Sequence, residues 1–71
     1  MDKSMQLELD QGARLLAGLL HESINSVVHA SRFKAVYSTY VGSLTAIELK
    51  YLDRQIHKHF REHSLKEEND E

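Results

Sequence analysis

The sequence lacks cysteine and proline, and it has only three glycines among 71 residues. The absence of cysteine excludes disulfides, thiolate zinc sites and a cysteine nucleophile. The absence of proline removes the strongest helix breaker. A chain of this length has room for one domain. Because small domains without disulfides or structural metals usually rely on oligomerisation, we expect the fold to need a second chain.

A net basic charge and long apolar runs are also missing. The formal net charge is -2 and the pI is about 6.2, so no overall basic field attracts nucleic acid. The apolar runs are far shorter than a membrane span, and no charged segment precedes a hydrophobic one as in a secretion signal. We therefore expect a cytoplasmic protein with no membrane partner, and we expect nucleic acid to be an improbable partner.

The segment 41–48 carries signals for the end of one helix and the start of another. Gly42 suits the left-handed residue that follows a helix. Ser43 can cap the next helix, and Thr45 with Glu48 has the spacing of a capping box. These signals predict an all-α protein, an antiparallel helical hairpin that turns at Gly42.

The first arm of this hairpin has candidate start and break points. Asp10 is a candidate N-cap, with Ser4 as the alternative. Apolar residues then recur at helical spacing, but the stripe from Phe33 to Val41 is rotated about a quarter turn from the stripe before it. The arm is therefore either one bent helix or two helices broken near residue 30, where Ser31 could cap. Segment 36–41 is rich in strand formers, but a lone strand would be unstable, so helix is expected there.

The second arm is expected to run from about Leu44 to His63. The residues predicted to form the core and the dimer contact are Leu16, Leu20, Ile24, Val27, Leu49, Leu52, Ile56 and Phe60. A hairpin covers only one face of each helix, so we expect two copies to pair into a helical bundle. The predicted division is a flexible N-terminus at 1–9, the hairpin domain at 10–64 and a disordered acidic tail at 65–71.

A basic stripe on the last helix is the strongest candidate for a binding surface. Lys50, Arg54, Lys58 and Arg61 share a face that points away from the apolar seam, which is most simply a solvated face. Exposed apolar residues beside cations are typical of binding surfaces. The predicted partner-binding set is Ile47, Lys50, Tyr51, Arg54 and Lys58.

Five histidines are present, and His59 and His63 have the i, i+4 spacing that places two imidazoles on one face. Zinc needs about four ligands, so these two are weak metal candidates. They also suit a helix C-terminus. A pH-sensitive dimer contact is the milder alternative. We expect no cofactor.

No catalytic motif is present: the sequence has no nucleophile elbow, no phosphate-cradling glycine loop and no HExxH. We therefore expect a non-enzymatic homodimer that binds and modulates a larger protein. The alternatives are a small DNA-binding or anti-repressor protein that uses the basic stripe, and a metal- or pH-responsive dimer. In size, acidic tail and lack of a catalytic set, the chain resembles the small accessory regulators common in bacteria and their phages.

Overall fold

Three helices make up the part of the chain that the computed structural model describes, which is residues 1–68, with side chains up to residue 65. Helix α1 is Lys3–Glu22, α2 is Val27–Ser43 and α3 is Ala46–Glu68. No strand occurs within these residues. The all-α prediction is confirmed, and the segment 36–41, which is rich in strand formers, is helical as expected.

Helix α1 begins earlier than the sequence indicated. Asp2 is its N-cap, and the Asp2 Oδ1 atom accepts a hydrogen bond of 2.8 Å from the Met5 amide. The prediction of Asp10 or Ser4 as the cap is therefore wrong, and the segment 1–9, expected to be flexible, is helical from Lys3 onward. The physical reason is that Met5 and Leu9 extend the apolar stripe upstream and pack into the core.

The first arm is two helices, broken at 23–26 rather than near residue 30. Ser26 has extended backbone, with φ -150° and ψ 116°, and its hydroxyl accepts from the His29 amide at 3.4 Å. Ser31, the cap expected from the sequence, lies inside α2. The break ends at Ser26 because its hydroxyl accepts from an amide in the first turn of α2, as an N-cap serine does.

The link between α2 and α3 needs no left-handed residue. Gly42 lies in the last turn of α2, and no glycine of the described chain has positive φ, so its predicted role is wrong. Leu44 is the C-cap, with extended backbone, and its amide donates to the Tyr40 carbonyl at 2.9 Å. The Thr45–Glu48 capping box is confirmed: the Thr45 amide donates to Glu48 Oε1 at 2.9 Å, and the Glu48 amide donates to Thr45 Oγ1 at 3.2 Å.

Helix α1 is central and packs against both other helices. The ring of Tyr40 lies against Gly12, while His29 borders a groove beside Glu22, so α1 and α2 are antiparallel. Helix α3 runs in the same direction as α1, because Asp10 contacts His59, whereas His21, further along α1, meets His63, further along α3. The expected two-arm hairpin is thus replaced by three helices that run up, down and up.

The core is small. Within residues 1–65 the buried apolar side chains are Leu9, Ala13, Leu16, Ala17, Leu52 and Ile56. Of the predicted core residues, three are in this set, and Leu20 and Leu49 pack against it. Phe60 is half-buried and lies 6.1 Å from the His21 ring.

Two predicted core residues lie outside the core of the single chain. Ile24 is 70% exposed because it lies in the turn, and Val27 is 84% exposed because it is the first residue of α2. Their placement in the core is wrong. A contact between two copies through them stays a prediction.

One side-chain hydrogen bond ties α2 to α3. The Tyr37 hydroxyl donates to Asp53 Oδ1 at 2.7 Å, and this bond, together with burial, raises the pKa of Tyr37 above its ordinary value of 10.0. Tyr37 therefore remains a neutral donor throughout the physiological range.

Helix α3 continues five residues beyond the expected end at His63. Of the predicted disordered tail 65–71, residues 65–68 are helical and 69–71 lie outside the described residues. None of the helices, over the residues described, combines the length and the apolar character needed to cross a membrane.

Candidate interaction surfaces

The outer face of α3 carries a basic stripe, which consists of Lys50, Arg54, Lys58 and Arg61. All four side chains are exposed. Their spacing of three and four residues places them on one side of the helix, opposite the buried Leu52, Ile56 and His59. The structure therefore brings together the cations that the sequence assigned to one face.

None of the four cations forms an ion pair within the described chain. The reason is that the carboxylates of α3 with described side chains are used elsewhere. Glu48 closes the capping box, Asp53 accepts from Tyr37, and Glu62 contacts His59 Nδ1 at 3.3 Å. Helix α3 thus presents cations outward while its acidic groups serve the fold.

Exposed aliphatic residues lie at both ends of the basic stripe. Ile47 is 75% exposed and Leu65 is 55% exposed. They are 18 residues apart, which is five helical turns, so they share one face at a separation of about 27 Å. Leu65 was missing from the predicted binding set, although this whole-turn spacing from Ile47 is visible in the sequence.

Tyr51 differs from the other predicted partner-binding residues. Ile47, Lys50, Arg54 and Lys58 are exposed, whereas Tyr51 is half-buried and packs against the core cluster. Tyr51 contributes at most an edge of its ring to the surface of α3. Leu65 is the second exposed aliphatic residue along the stripe.

A buried polar cluster joins α1 to α3 on the opposite side. His59 is 7% exposed, and its Nε2 lies 2.8 Å from Asp10 Oδ1. Asp10 Oδ2 accepts from Arg14 Nε at 3.2 Å. The hydrogen bond from His59 is the main reason that the pKa of Asp10 is lowered, with Arg14 adding to it against the opposing effect of burial.

Sequence reasoning missed the Asp10–His59 pair. The two residues are 49 positions apart, and Asp10 looked like a helix cap. The signal that was available is the placement of His59 on the apolar seam, because a histidine on a buried face needs a polar partner. Asp10 supplies that partner from the facing helix.

The weak metal candidates are directed to different partners. His59 has carboxylates at both nitrogens, and the His63 ring stacks on His21 with centroids 5.5 Å apart. Among the residues described, no three His, Cys, Asp or Glu side chains come together in a way that could hold a metal ion. What the cluster provides is a polar contact between the two helices, from His59 to Asp10.

Helix α2 forms the second exposed surface, which has aliphatic residues at both ends and no acidic residue. It contains no buried residue, and Val27, Val28 and Val41 are exposed at its ends. Its only cations are Arg32 and Lys34, apart from His29, and no acidic residue occurs between positions 23 and 47. The outer side of α2 therefore lacks the mixed charge of an ordinary solvated helix.

Comparison with known proteins gives no relative. No family model matches the chain, and no significantly similar curated protein or solved structure was found.

Proposed function

We propose that the chain is a non-enzymatic binding module that docks the outer face of α3 onto an acidic surface of a larger protein and modulates it. The observation that carries this proposal is the basic stripe, which has no carboxylate partner among the side chains described and is bordered by exposed Ile47 and Leu65. Positive charge with apolar anchors at a fixed distance offers both orientation and affinity.

The charge of the stripe favours an acidic partner over a second copy of α3. Two such faces laid together would bring Arg54 and Lys58 of one chain close to the same cations of the other. Like charges that face each other across an interface are unfavourable. A surface with carboxylates along about 27 Å and apolar pockets for Ile47 and Leu65 would be complementary instead.

The proposal includes a homodimer, with contacts away from the basic stripe. Its support is the small core and the exposure of Val27, Val28 and Ile24 around the turn between α1 and α2. Exposed aliphatic side chains in such number near one another are typical of surfaces that another chain covers. A pairing through Ile24, Val27 and Val28 at this turn would leave the outer face of α3 open for the larger partner.

The test of the docking face is a charge reversal with a matched control. Arg54→Glu with Lys58→Glu changes the net charge by -4 on the basic stripe, and Arg32→Glu with Lys34→Glu makes the same change on α2. All four positions are exposed, so both variants should fold. We expect the wild type and the α2 variant to capture the same acidic protein from host extract, with at least a tenfold loss for the α3 variant.

Two results would contradict the proposal. Equal capture by both double variants would show that the basic stripe is not the contact. Binding of random duplex DNA by the wild type, falling steeply as salt is raised, would favour the DNA-binding alternative, because release of counterions from phosphates causes that dependence. Sedimentation of each variant should give the same mass as the wild type.

A further inference from the structure

His59 is the one buried polar residue of the part of the chain with described side chains, and it lies between α1 and α3. Nε2 lies 2.8 Å from Asp10 Oδ1 on α1, and Nδ1 lies 3.3 Å from Glu62 Oε2 on its own helix. Both nitrogens therefore face carboxylate oxygens. An ionised carboxylate accepts hydrogen bonds but has no proton to donate.

The protonation of His59 decides how many of these contacts are favourable. The imidazolium donates from both nitrogens, whereas neutral imidazole donates from one and presents a lone pair at the other. In the neutral form the bond to Asp10 can persist through Nε2–H, but the lone pair at Nδ1 then faces an ionised carboxylate. Glu62 is 59% exposed in its side chain, so it is free to turn away into solvent.

The other charged groups around His59 do not replace the lost contact. On α1, Arg14 binds Asp10 at 3.2 Å and borders the same groove as His59, Glu62 and His63. Asp10 is ionised at the pH values at which histidine titrates, because its pKa lies below the ordinary value of 3.8, mainly through the hydrogen bond with His59 and in smaller part through Arg14. Helix α2 contributes no charged group to this groove among the residues described. The balance between His59 and its two carboxylates therefore determines the strength of the link.

We propose that His59 is a proton-dependent clamp between α1 and α3. The imidazolium forms a charge-assisted bond to Asp10 across the two helices and holds Glu62 on its own helix, and loss of the proton weakens the bond to Asp10 to a neutral hydrogen bond and releases Glu62. The clamp lies at the middle of the α1–α3 contact, and the part of α3 beyond it carries Arg61 and Leu65. Loosening it would free the last turns of α3 between mildly acidic and mildly alkaline pH. This inference stands whether or not α3 binds another protein.

The first test compares thermal unfolding at pH 5.5 and pH 8. For the wild type we expect a Tm roughly 4–8 °C lower at pH 8, the shift that follows the loss of one charge-assisted contact in a domain of this size. His59→Gln can still donate to Asp10 but does not titrate, so it should lose most of this difference. His57→Gln, an exposed residue on the same helix, should keep it.

The second test follows the ring and the helix directly. Imidazole ¹⁵N shifts should show His59 protonated at both nitrogens at pH 5.5 and at one nitrogen at pH 8. Amide exchange protection at 61–65, corrected for intrinsic rates, should fall over the same range. If His59→Gln does not fold, Glu62→Gln should reduce the pH dependence instead, because it removes one carboxylate from the clamp.

The proposal of a clamp at His59 is overturned if the wild type has the same Tm at both pH values. It is also overturned if His59→Gln keeps the full difference, or if the ¹⁵N shifts of His59 do not change. A loss of pH dependence in His57→Gln would assign the effect to another histidine.

Discussion

Gly12 is the residue whose lack of a side chain the packing requires. It is buried on α1 beneath the ring of Tyr40, and an added Cβ would lie 2.9 Å from Tyr40 Cζ. Cβ atoms essentially never come so near another heavy atom, so the ring would have to move. The position of the Tyr40 ring against α1 therefore depends on this glycine.

We expect Gly12→Ala to lower the free energy of unfolding by about 1–3 kcal/mol, the usual cost of overpacking, although alanine favours helix by about 1 kcal/mol. Gly18→Ala is the matched control. Gly18 lies on the same helix with nothing within 4 Å of an added Cβ. In Gly18→Ala, only the higher helix propensity of alanine should act, and it should raise the free energy of unfolding. Urea denaturation of both variants measures the difference, and equal effects would contradict the packing argument.

At the scale of the helix, the start of α3 is set by Thr45 and Glu48. The two hydrogen bonds of this capping box satisfy amides that otherwise have no partner. Ser43, the competing cap candidate, instead donates to the Thr39 carbonyl at 2.8 Å within α2. A serine bonded backward in this way does not begin a new helix.

We expect Thr45→Ala to lower the free energy of unfolding by about 1 kcal/mol. Ser43→Ala should change it by less than about 0.5 kcal/mol, because the residue is exposed and only its bond back into α2 is lost. Chemical denaturation measures both values. A larger effect at Ser43 than at Thr45 would show that the helix start is determined two residues earlier than in the structure.

The comparison of sequence and structure at this scale separates strong local signals from weak ones. The capping box could be predicted because both partners are three residues apart and meet whenever the helix forms. Gly42 could not be placed, because a glycine tolerates both helix and turn. Whether Gly42 lies in the helix or in the turn depended on how far α2 continued.

The choice between neighbouring leucines was equally ambiguous. Leu15 and Leu16 both fit helical spacing, and so do Leu19 and Leu20. The structure buries Leu16 and leaves Leu15 mostly exposed. The deciding residues are Leu9 and Ala13, whose stripe selects Leu16, and a small alanine gives little signal in an apolar pattern. Which leucine of a pair is buried is therefore decided by all the residues of the apolar stripe together.

For the whole molecule, the link between α1 and α3 couples the fold to pH through Asp10. Its pKa is lowered from the ordinary value of 3.8, first by the hydrogen bond from His59 and then by charge. A lowered pKa in the folded state means that the unfolded chain binds a proton more readily. The stabilisation from Asp10 is therefore complete above the unfolded value and is lost as the pH falls through the folded one.

Because the pKa of Asp10 is lowered in the folded state, we expect the free energy of unfolding to fall at acidic pH. Between pH 5 and pH 2 the wild type should lose stability in part through Asp10, and Asp10→Asn should be less stable at pH 5 but change less on acidification. Glu8→Gln, an exposed carboxylate on the same helix, should keep the slope of the wild type. The free energy of unfolding measured by urea at half-unit pH steps tests this.

Amide exchange protection at acidic pH distinguishes detachment of α3 alone from unfolding of all three helices together. Within the described residues, helix α1 is in extensive contact with both other helices, and α3 is held mainly by its packing against α1. Acid unfolding should therefore be cooperative, with the amides of α3 losing exchange protection together with those of α1. If α3 detached while α1 and α2 stayed protected as a hairpin, the three helices would not form one cooperative unit and the Asp10–His59 contact would only fasten α3 to a separately stable pair.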